Sequence, residues 1–289
     1  MTEVLEELVE LLSLEKIEEN LFRGQSQDLG WGLVYGGQVL GQALSAAVQT
    51  VPDDRYVHSL HAYFLRPGDV SRPIVYDVDR IRDGGSFTTR RVVAIQKGRP
   101  IFNMSASFHH QEEGFSHQAE CPDAPPPEGL DTEQERFAKF ADRLPDFMRE
   151  RALSDRPFEL RSIDPIKDPI APKDYPPQSM HWLKTAGELA DNPSLHRFLL
   201  AYASDFQFLT TSLRPHGVSW LTPKMQVASI DHAMWFHRPF RVDEWLLHSI
   251  QSPSAEGARG FVRGNIFDVD GNLVASTSQE GLIRKRKKR

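Results

Sequence analysis

The tetrapeptide Phe-Leu-Arg-Pro at residues 64–67 returns in the second half of the chain as Phe-His-Arg-Pro at residues 236–239. Two more matches follow in the same order: residues 86–90 with 260–263, and residues 98–101 with 271–274. The spacing between matched positions stays between 172 and 174 residues. Such a steady offset indicates two copies of one folding unit, and it directs the search for function to their junction.

Each copy has the sequence pattern of one helix followed by an antiparallel meander. Helical patterns cover residues 38–50 and residues 194 to about 212, and the second begins at an Asn-Pro start signal, Asn192 and Pro193. Strand patterns follow each helix, separated by turn residues. They cover residues 57–65, 74–82, 87–96 and 100–109 in the first copy, and 226–232, 245–252, 259–268 and 273–283 in the second. Shorter strand patterns precede the helices at residues 17–23, 158–163 and 179–185.

A long apolar helix followed by antiparallel strands packs economically when the sheet curls around the helix. Two such units remove two exposed sheet edges when their sheets join edge to edge. The sequence therefore predicts an α+β fold of the double hot-dog type, with two tandem helix-wrapped antiparallel sheets. We expect an N-terminal hot-dog over residues 1–115, a proline-rich and helical connector over 116–153 with its helix at 132–144, and a C-terminal hot-dog over 154–289.

Composition excludes several classes of protein. The chain of 289 residues is 39% hydrophobic and 26% charged, which is ordinary for a globular protein, and it has no apolar run of about 18 residues that could span a membrane. The acidic N-terminus, with Leu5, Leu8 and Leu12 at helical spacing, predicts a short amphipathic helix instead of a secretion signal. We therefore expect a cytoplasmic protein.

Charge and cysteine content narrow the range of partners and cofactors. The net charge is −6, although residues 284–289 are all basic. Because basic and aromatic residues do not cluster elsewhere, we interpret this run as a solvated, frayed tail and expect no nucleic-acid partner. Cys121 is the only cysteine, which excludes an intrachain disulfide or a cysteine-based metal site.

Familiar catalytic signatures are missing from the sequence. It contains no Gly-x-Ser-x-Gly elbow, no Gly-x-x-x-x-Gly-Lys-Ser/Thr loop and no His-Glu-x-x-His pair. The glycines at 30, 32 and 36 also lack the spacing of a dinucleotide fingerprint. These observations argue against a serine hydrolase of the α/β type, nucleotide hydrolysis, zinc hydrolysis and NAD binding.

Asp205 is the candidate catalytic residue that the pattern singles out. It lies in the middle of the predicted second helix, within one of the most apolar stretches of the chain. A buried carboxylate costs several kcal/mol unless hydrogen-bond donors surround it. Donors would have to come from the strands, unless Asp205 occupies an exposed strip of the helix or caps a break in it.

Two strand residues could supply those donors. Ser229 brings a hydroxyl among apolar neighbours, and Gln279 brings an amide in the last strand. Together with Asp205 they could hold a water molecule and aim it at an acyl carbon. Taken singly, each residue is better explained as an ordinary strand residue.

Longer blocks of sequence resemble a known family. They include Val-Tyr-Gly-Gly-Gln-Val at residues 34–39 and Ile-Asp-His-Ala-Met-Trp-Phe-His-Arg-Pro-Phe at 230–240, together with residues 25–30, 57–68 and 259–264. These blocks look strongly like acyl-CoA thioesterase II, the TesB family, and the resemblance runs from about residue 14 to residue 283. It implies a double hot-dog enzyme that hydrolyses fatty acyl-CoA.

The resemblance also implies a catalytic trio. The aspartate of the family's Tyr-Ala-Ser-Asp motif falls on Asp205, its hydroxyl residue before Ile-Asp-His falls on Ser229, and its glutamine before Glu-Gly falls on Gln279. Many members carry threonine where this chain has Ser229. His58 matches a histidine considered catalytic in the family, and we expect it to act as a structural or supporting residue. Family likeness further implies a homodimer or homotetramer and no cofactor or metal.

Thioester hydrolysis suits such a trio. The leaving thiol has a pKa of about 8.5, so it departs with little help from a general acid. Asp205 would take a proton from water, while Ser229 and Gln279 would orient that water. Two other readings stay open: a hot-dog hydratase or dehydratase, which needs an aspartate and a histidine close together on the helix, and a silent acyl-CoA-binding protein.

Substrate contacts are predicted more coarsely. We expect the acyl tail to lie in an apolar channel lined by members of the set Phe206, Phe208, Leu209 and Trp235. Arginines suit the phosphates of CoA. The candidates are Arg66, Arg90, Arg238 and Arg263, each of which is equally consistent with a solvated turn or sheet-edge position.

Overall fold

The first half of the chain folds as one helix wrapped by antiparallel strands. The structure is a computed structural model that describes residues 1–143, 149 and 154–286. In this half the elements are α1 (Glu3–Leu12), β1 (Glu15–Glu18), β2 (Leu21–Gly24), α2 (Gly36–Val48), β3 (Tyr56–Phe64), β4 (Ile74–Asp83), β5 (Phe87–Gln96) and β6 (Arg99–His109). The predicted strand over 17–23 is divided into β1 and β2 by a turn.

The second half repeats this order after the connector. The connector contains α3 (Glu133–Ala138), and the elements of the second half are β7 (Phe158–Ser162), β8 (Gln178–Thr185), α4 (Pro193–Ala203), β9 (Met225–Ser229), β10 (Asp231–Phe236), β11 (Leu246–Glu256), β12 (Arg259–Phe267) and β13 (Leu273–Lys285). Short 3-10 helices occur at Pro127–Gly129, Ala141–Arg143 and Leu209–His216. The Asn192 side chain accepts hydrogen bonds from Ser194 and Leu195 and so caps α4, as the start signal predicts.

The strands of both halves form one continuous antiparallel sheet within the described residues. Its order is β1-β2-β4-β5-β6-β3-β10-β13-β12-β11-β8-β7, and β9 pairs with β13. The halves meet where β3 pairs with β10, and His61 lies opposite Ala233 at the centre of that pairing. These two residues are 172 positions apart, the offset of the repeated tetrapeptide. Equivalent strands therefore pair with each other about a local two-fold axis, and the joined edges remove two free sheet edges.

The two central helices pack against each other inside the curved sheet. Two glycines of α2 face α4, because a Cβ on Gly37 would lie 2.2 Å from the carbonyl oxygen of Tyr202, and one on Gly41 would lie 3.2 Å from that of Phe198. Only residues without a side chain allow such close approach of the two backbones. The core formed by α2, α4 and the sheet also takes in Leu5, Leu8 and Leu12 of α1.

The predicted second helix is too long. Helix α4 ends at Ala203, and Asp205 lies in the turn that follows rather than in mid-helix. The Ser204 hydroxyl donates to the carbonyl oxygen of Ala201, and Gln207 has a left-handed backbone with φ of 54°. Both features interrupt the helical hydrogen bonding, and Leu209–His216 continues as a separate 3-10 helix.

The predicted strand over 226–232 is also divided in two. Ser229 pairs with Gly281 and Ala233 pairs with Ser278, so four steps along one strand face three steps along β13. The extra residue is a β-bulge between β9 and β10. A bulge shifts the alternation of side chains by one, so it turns Ser229 to the inner face of the sheet.

The connector lies along the second half where it is described. Thr132 begins α3 with a capping box to Glu135, and Trp182 donates to the carbonyl oxygen of Pro125. The final residue of the predicted connector helix, at 144, lies outside the described residues, as do 145–148, 150–153 and 287–289. The domain boundaries at 115 and 153 stay a prediction. Strand β13 extends through Lys285. The first two residues of the basic run at 284–289 therefore belong to a strand and not to a frayed tail.

No helix in the described part of the chain is both long and apolar enough to cross a membrane.

Candidate active site

Asp205, Ser229 and Gln279 meet on the inner side of the sheet, at the end of α4. The Gln279 side chain donates from Nε2 to Asp205 Oδ1 at 2.8 Å and lies 2.9 Å from Ser229 Oγ. The three residues are contributed by the turn after α4, by β9 and by β13. The structure thus brings together the three side chains that the sequence analysis placed in one trio.

Burial sets the chemistry of the Asp205 carboxylate. Dense surrounding protein raises its pKa from the ordinary value near 3.8 to about 6, although hydrogen bonds from Gln279, the Gly37 backbone and Ser229 oppose that rise. A carboxylate with this pKa is ionised near neutral pH and is a stronger base than an exposed aspartate. Asp205 is therefore suited to accept a proton.

The Gln279 amide is held in one orientation. Its side chain is fully buried, and its nitrogen faces two oxygen acceptors, which excludes the flipped amide because an oxygen there would oppose the carboxylate. Its own Oε1 is buried without a hydrogen-bond partner among the described residues. A buried acceptor left unpaired in this way calls for a donor beside the trio.

The first half of the chain completes the site. The carboxylate of Asp205 lies at the N-terminus of α2, where the backbone N–H of Gly37 donates to it. A Cβ on Gly36 would lie only 2.8 Å from Asp205 Oδ2. Sequence reasoning missed this contact, although the Gly36-Gly37 pair at the start of a helix was a visible signal.

A cavity of about 480 Å³ lies near the trio, although Asp205, Ser229 and Gln279 are not among its lining residues. Its wall includes Tyr35 and Phe206, which are the sequence neighbours of Gly36 and Asp205 and whose rings stack at 5.6 Å. It is also lined by α1, by the connector and by the second half, including Leu8, Phe137, Met180, Val218 and Trp220. The volume falls within the roughly 300–1,000 Å³ of typical small-molecule sites.

Of the four residues predicted to line an acyl channel, one lines this cavity. Phe206 lines this cavity, whereas Phe208 is buried in a separate cluster with Ile250 and Val262. Leu209 is buried against Gly281, and Trp235 lies on the outer face of the sheet with its ring against His61. Strand alternation explains Trp235, because the inward positions of β10 are taken by His232, Met234 and Phe236.

His58 and the predicted arginines lie elsewhere. His58 is hydrogen-bonded through Nε2 to Ser107 Oγ at 2.8 Å, and its ring lies beside Phe87 and His109, so none of these contacts reaches the trio. Arg90 is buried and donates to Thr50 and Asp83, which makes it a structural residue. None of the four predicted arginines lines the cavity; the arginines that do are Arg136, Arg156 and Arg214.

Comparison with known proteins agrees with this architecture. A family model described as acyl-CoA thioesterase matches residues 150–282, and one described as acyl-CoA thioesterase N-terminal domain matches residues 26–109. Acyl-CoA thioesterase 2 of Haemophilus influenzae is 46% identical, with 98% of this chain and 99% of that protein covered. Human acyl-coenzyme A thioesterase 8 is 39% identical over 95% of this chain and 88% of its own length.

A solved structure is similar over nearly the same span. The acyl-CoA thioesterase II TesB2 of Mycobacterium marinum has a TM-score of 0.78 and 41% sequence identity, covering 97% of this chain and 99% of that chain. The two family matches together account for both halves of the repeat. The chain belongs to the acyl-CoA thioesterase II (TesB) family.

Proposed function

We propose that this protein hydrolyses fatty acyl-CoA to a free fatty acid and CoA, with Asp205, Ser229 and Gln279 activating a water molecule. The observation that carries the proposal is the hydrogen-bonded trio, in which Gln279 Nε2 donates to Asp205 Oδ1 and Ser229 Oγ, while Gln279 Oε1 has no partner among the described residues. Family membership supports the same reaction class.

Each member of the trio has a distinct role in this proposal. The water donates one hydrogen to Gln279 Oε1 and the other to Asp205, which removes it as the water oxygen attacks the thioester carbon. Ser229 Oγ accepts a hydrogen bond from Gln279 Nε2, and the Ser229 hydroxyl donates its own hydrogen to the Asp205 carboxylate. The C–S bond then breaks, and protonated Asp205 returns its proton to the departing thiolate.

The negative charge that develops on the thioester carbonyl oxygen needs hydrogen-bond donors of its own. We place that oxygen at the N-terminal turn of α2, where the helix dipole and backbone N–H groups favour negative charge. Gly36 brings this turn directly against Asp205, because a Cβ there would lie 2.8 Å from Asp205 Oδ2. Oxyanion donors are typically worth about 3 to 4 kcal/mol in such reactions.

The acyl tail would enter the cavity that Tyr35 and Phe206 line. Apolar side chains such as Leu8, Phe137 and Val218 also line it, so hydrocarbon packed against them would be removed from water. The cavity thus supports a fatty acyl substrate attached to CoA.

The proposal is tested by following thiol release and loss of the thioester from acyl-CoA substrates of graded chain length. We expect the wild type to release one CoA per thioester and Asp205→Asn to lose at least about 100-fold in kcat. Replacing the exposed connector residue in Asp123→Asn is the matched control and should leave kcat unchanged.

Three outcomes would contradict the proposal. Unchanged turnover in Asp205→Asn would remove Asp205 from the reaction. Hydration of an enoyl-CoA without thiol release would indicate a hydratase, and tight binding without turnover would indicate a silent acyl-CoA-binding protein.

A further inference from the structure

The segment Ile230-Asp231-His232 lies at the β-bulge, and the proposed function leaves its two polar side chains without a role. Asp231 and His232 point to opposite faces of the sheet, as alternation along β10 requires. They therefore cannot form a dyad with each other. Each of them instead makes a hydrogen bond to a residue that directly adjoins a member of the trio.

Asp231 is bonded to the residue that follows Gln279. Its Oδ1 accepts from the backbone N–H of Glu280 at 2.6 Å, while the Ile230 N–H donates to the Glu280 carbonyl oxygen at 2.9 Å. The bulge interrupts the ladder at this point, so a side-chain oxygen takes the place of the backbone acceptor that a regular strand would offer. Asp231 thus fixes the backbone of β13 beside Gln279.

His232 is bonded to the residue that precedes Asp205. Its Nε2 lies 3.0 Å from Ser204 Oγ, and that hydroxyl already donates its hydrogen to the Ala201 carbonyl oxygen at 2.8 Å. The imidazole must therefore be the donor, which fixes the tautomer with hydrogen on Nε2. Both residues are almost completely buried, at 1% and 0% exposure, so water does not compete for this bond.

The same short segment carries the third member of the trio. Ser229 immediately precedes Ile230 and reaches Gln279 only because the bulge turns it to the inner face. Ser229 is itself a member of the trio. Asp231 and His232 are hydrogen-bonded to Glu280 and Ser204, the chain neighbours of the other two members. Such supporting contacts hold reacting groups in place, and displacements of about 1 Å can cost about 100-fold in rate.

We propose that Asp231 and His232 are positioning residues: Asp231 sets Gln279 through the Glu280 N–H, and His232 sets Asp205 through Ser204. This inference rests on the proposed function, since it assigns these residues to the same trio. Neither residue touches the reacting atoms, so each should affect kcat more than KM.

The His232 arm compares variants that keep or lose the donor. His232→Gln places an amide N–H near the position of Nε2 and should keep kcat within about 3-fold, whereas His232→Leu and Ser204→Ala should each lose at least about 10-fold with KM within about 2-fold. The double variant His232→Leu/Ser204→Ala should be no slower than the worse single variant, because both changes break one connection.

The role of Asp231 is tested in the same way, and thermal unfolding measurements show whether each variant is folded. Asp231→Asn keeps an oxygen acceptor for the Glu280 N–H and should retain kcat, whereas Asp231→Ala should lose about 10-fold. All variants are assayed below their own thermal unfolding midpoints. A purely structural role would lower those midpoints while leaving the kcat of the folded protein unchanged.

The results separate this inference from the proposed function. If Asp205→Asn is inactive while His232→Leu and Asp231→Ala keep wild-type kcat, the positioning role is wrong and the proposed function stands. Additive losses in the His232/Ser204 double variant would equally contradict the connection through Ser204. If Asp205→Asn keeps its turnover, the proposed function fails and this inference fails with it.

Discussion

Gly36 lies against the carboxylate of Asp205, although 169 positions separate the two residues and they belong to different copies of the repeat. A Cβ at position 36 would lie 2.8 Å from Asp205 Oδ2 and 3.2 Å from the Phe64 ring. The candidate site is therefore shared between the halves: the second half supplies Asp205, Ser229 and Gln279, and the first supplies the helix end that faces Asp205.

This contact predicts that Gly36→Ala inactivates the enzyme without unfolding it. The new methyl group would push the end of a flexible side chain, so the fold can adapt, but Asp205 would leave its hydrogen-bonding position. We expect kcat to fall by about 10- to 100-fold while the thermal unfolding midpoint changes little. Gly114→Ala is the control, since a Cβ there would meet nothing within 4 Å. Wild-type kcat in Gly36→Ala would show that Asp205 tolerates displacement.

Ser229 should be replaceable by threonine but not by alanine. Threonine keeps the hydroxyl that lies 2.9 Å from Gln279 Nε2, and its branched side chain suits a strand. We expect Ser229→Thr to retain kcat within about 3-fold and Ser229→Ala to lose at least about 10-fold, measured as initial rates of thioester loss. Equal rates in both variants would mean that the hydroxyl takes no part in orienting water.

The rate should depend on the ionisation of Asp205. Its pKa is raised to about 6 by burial, and only the ionised form can accept a proton. Consequently kcat/KM of the wild type should fall about tenfold per pH unit below about pH 6 and level off above it. Thioester absorbance is the suitable measurement, because thiol reagents are themselves pH-dependent. Circular dichroism at each pH confirms that the enzyme remains folded. A limb centred near pH 4 instead would contradict the raised pKa.

The same raised pKa predicts how stability responds to pH. The folded state holds the Asp205 proton up to about pH 6, whereas the unfolded chain releases it near 3.8, so this group destabilises the fold as pH rises between those values. We expect Asp205→Asn to be more stable than the wild type by up to about 3 kcal/mol above pH 6, and the difference to vanish below about pH 4. Urea unfolding of both proteins across this range measures it. A difference that is independent of pH would show that it arises from packing.

Chain-length preference should respond to the volume of the cavity. Val218 lines the same cavity as Phe206, so Val218→Trp would reduce the space available to a long tail. We expect kcat/KM for long acyl chains to fall by about 10-fold or more while short chains are hydrolysed as by the wild type. Val269→Trp, at a site 58% exposed in a turn, is the matched control. A uniform loss at all chain lengths would place the tail elsewhere.

Much of the fold could be predicted from the sequence because the signals are local and repeated. Apolar spacing located Leu5, Leu8 and Leu12 of α1, and the Asn192-Pro193 pair correctly marked the start of α4. The interpretation as two copies predicted that their sheets would join edge to edge, which the pairing of β3 with β10 confirms. The family resemblance, carried by long blocks of residues, was confirmed by comparison.

The differences between expectation and structure arise where an element ends, where strand alternation selects a face, and where a charged side chain is buried. Periodicity continued α4 through Asp205, but the Ser204 hydroxyl bonds back to Ala201 and the helix stops. Trp235 was one of the candidates for the acyl channel, yet the inward positions of β10 belong to its neighbours. Arg90 matched the chemistry of phosphate binding and is instead buried against Thr50.

The sequence by itself determined the duplicated hot-dog plan, the family, and which residue types could hold a water. Only the tertiary structure decided that Asp205 faces the start of α2, that a one-residue bulge turns Ser229 toward Gln279, and that Tyr35 and Phe206 line one cavity. The physical reason is the separation along the chain between the residues that make contact. Helix and strand patterns arise from neighbours along the chain, whereas the site depends on contacts between residues 50 to 169 positions apart, which form only when both halves pack together.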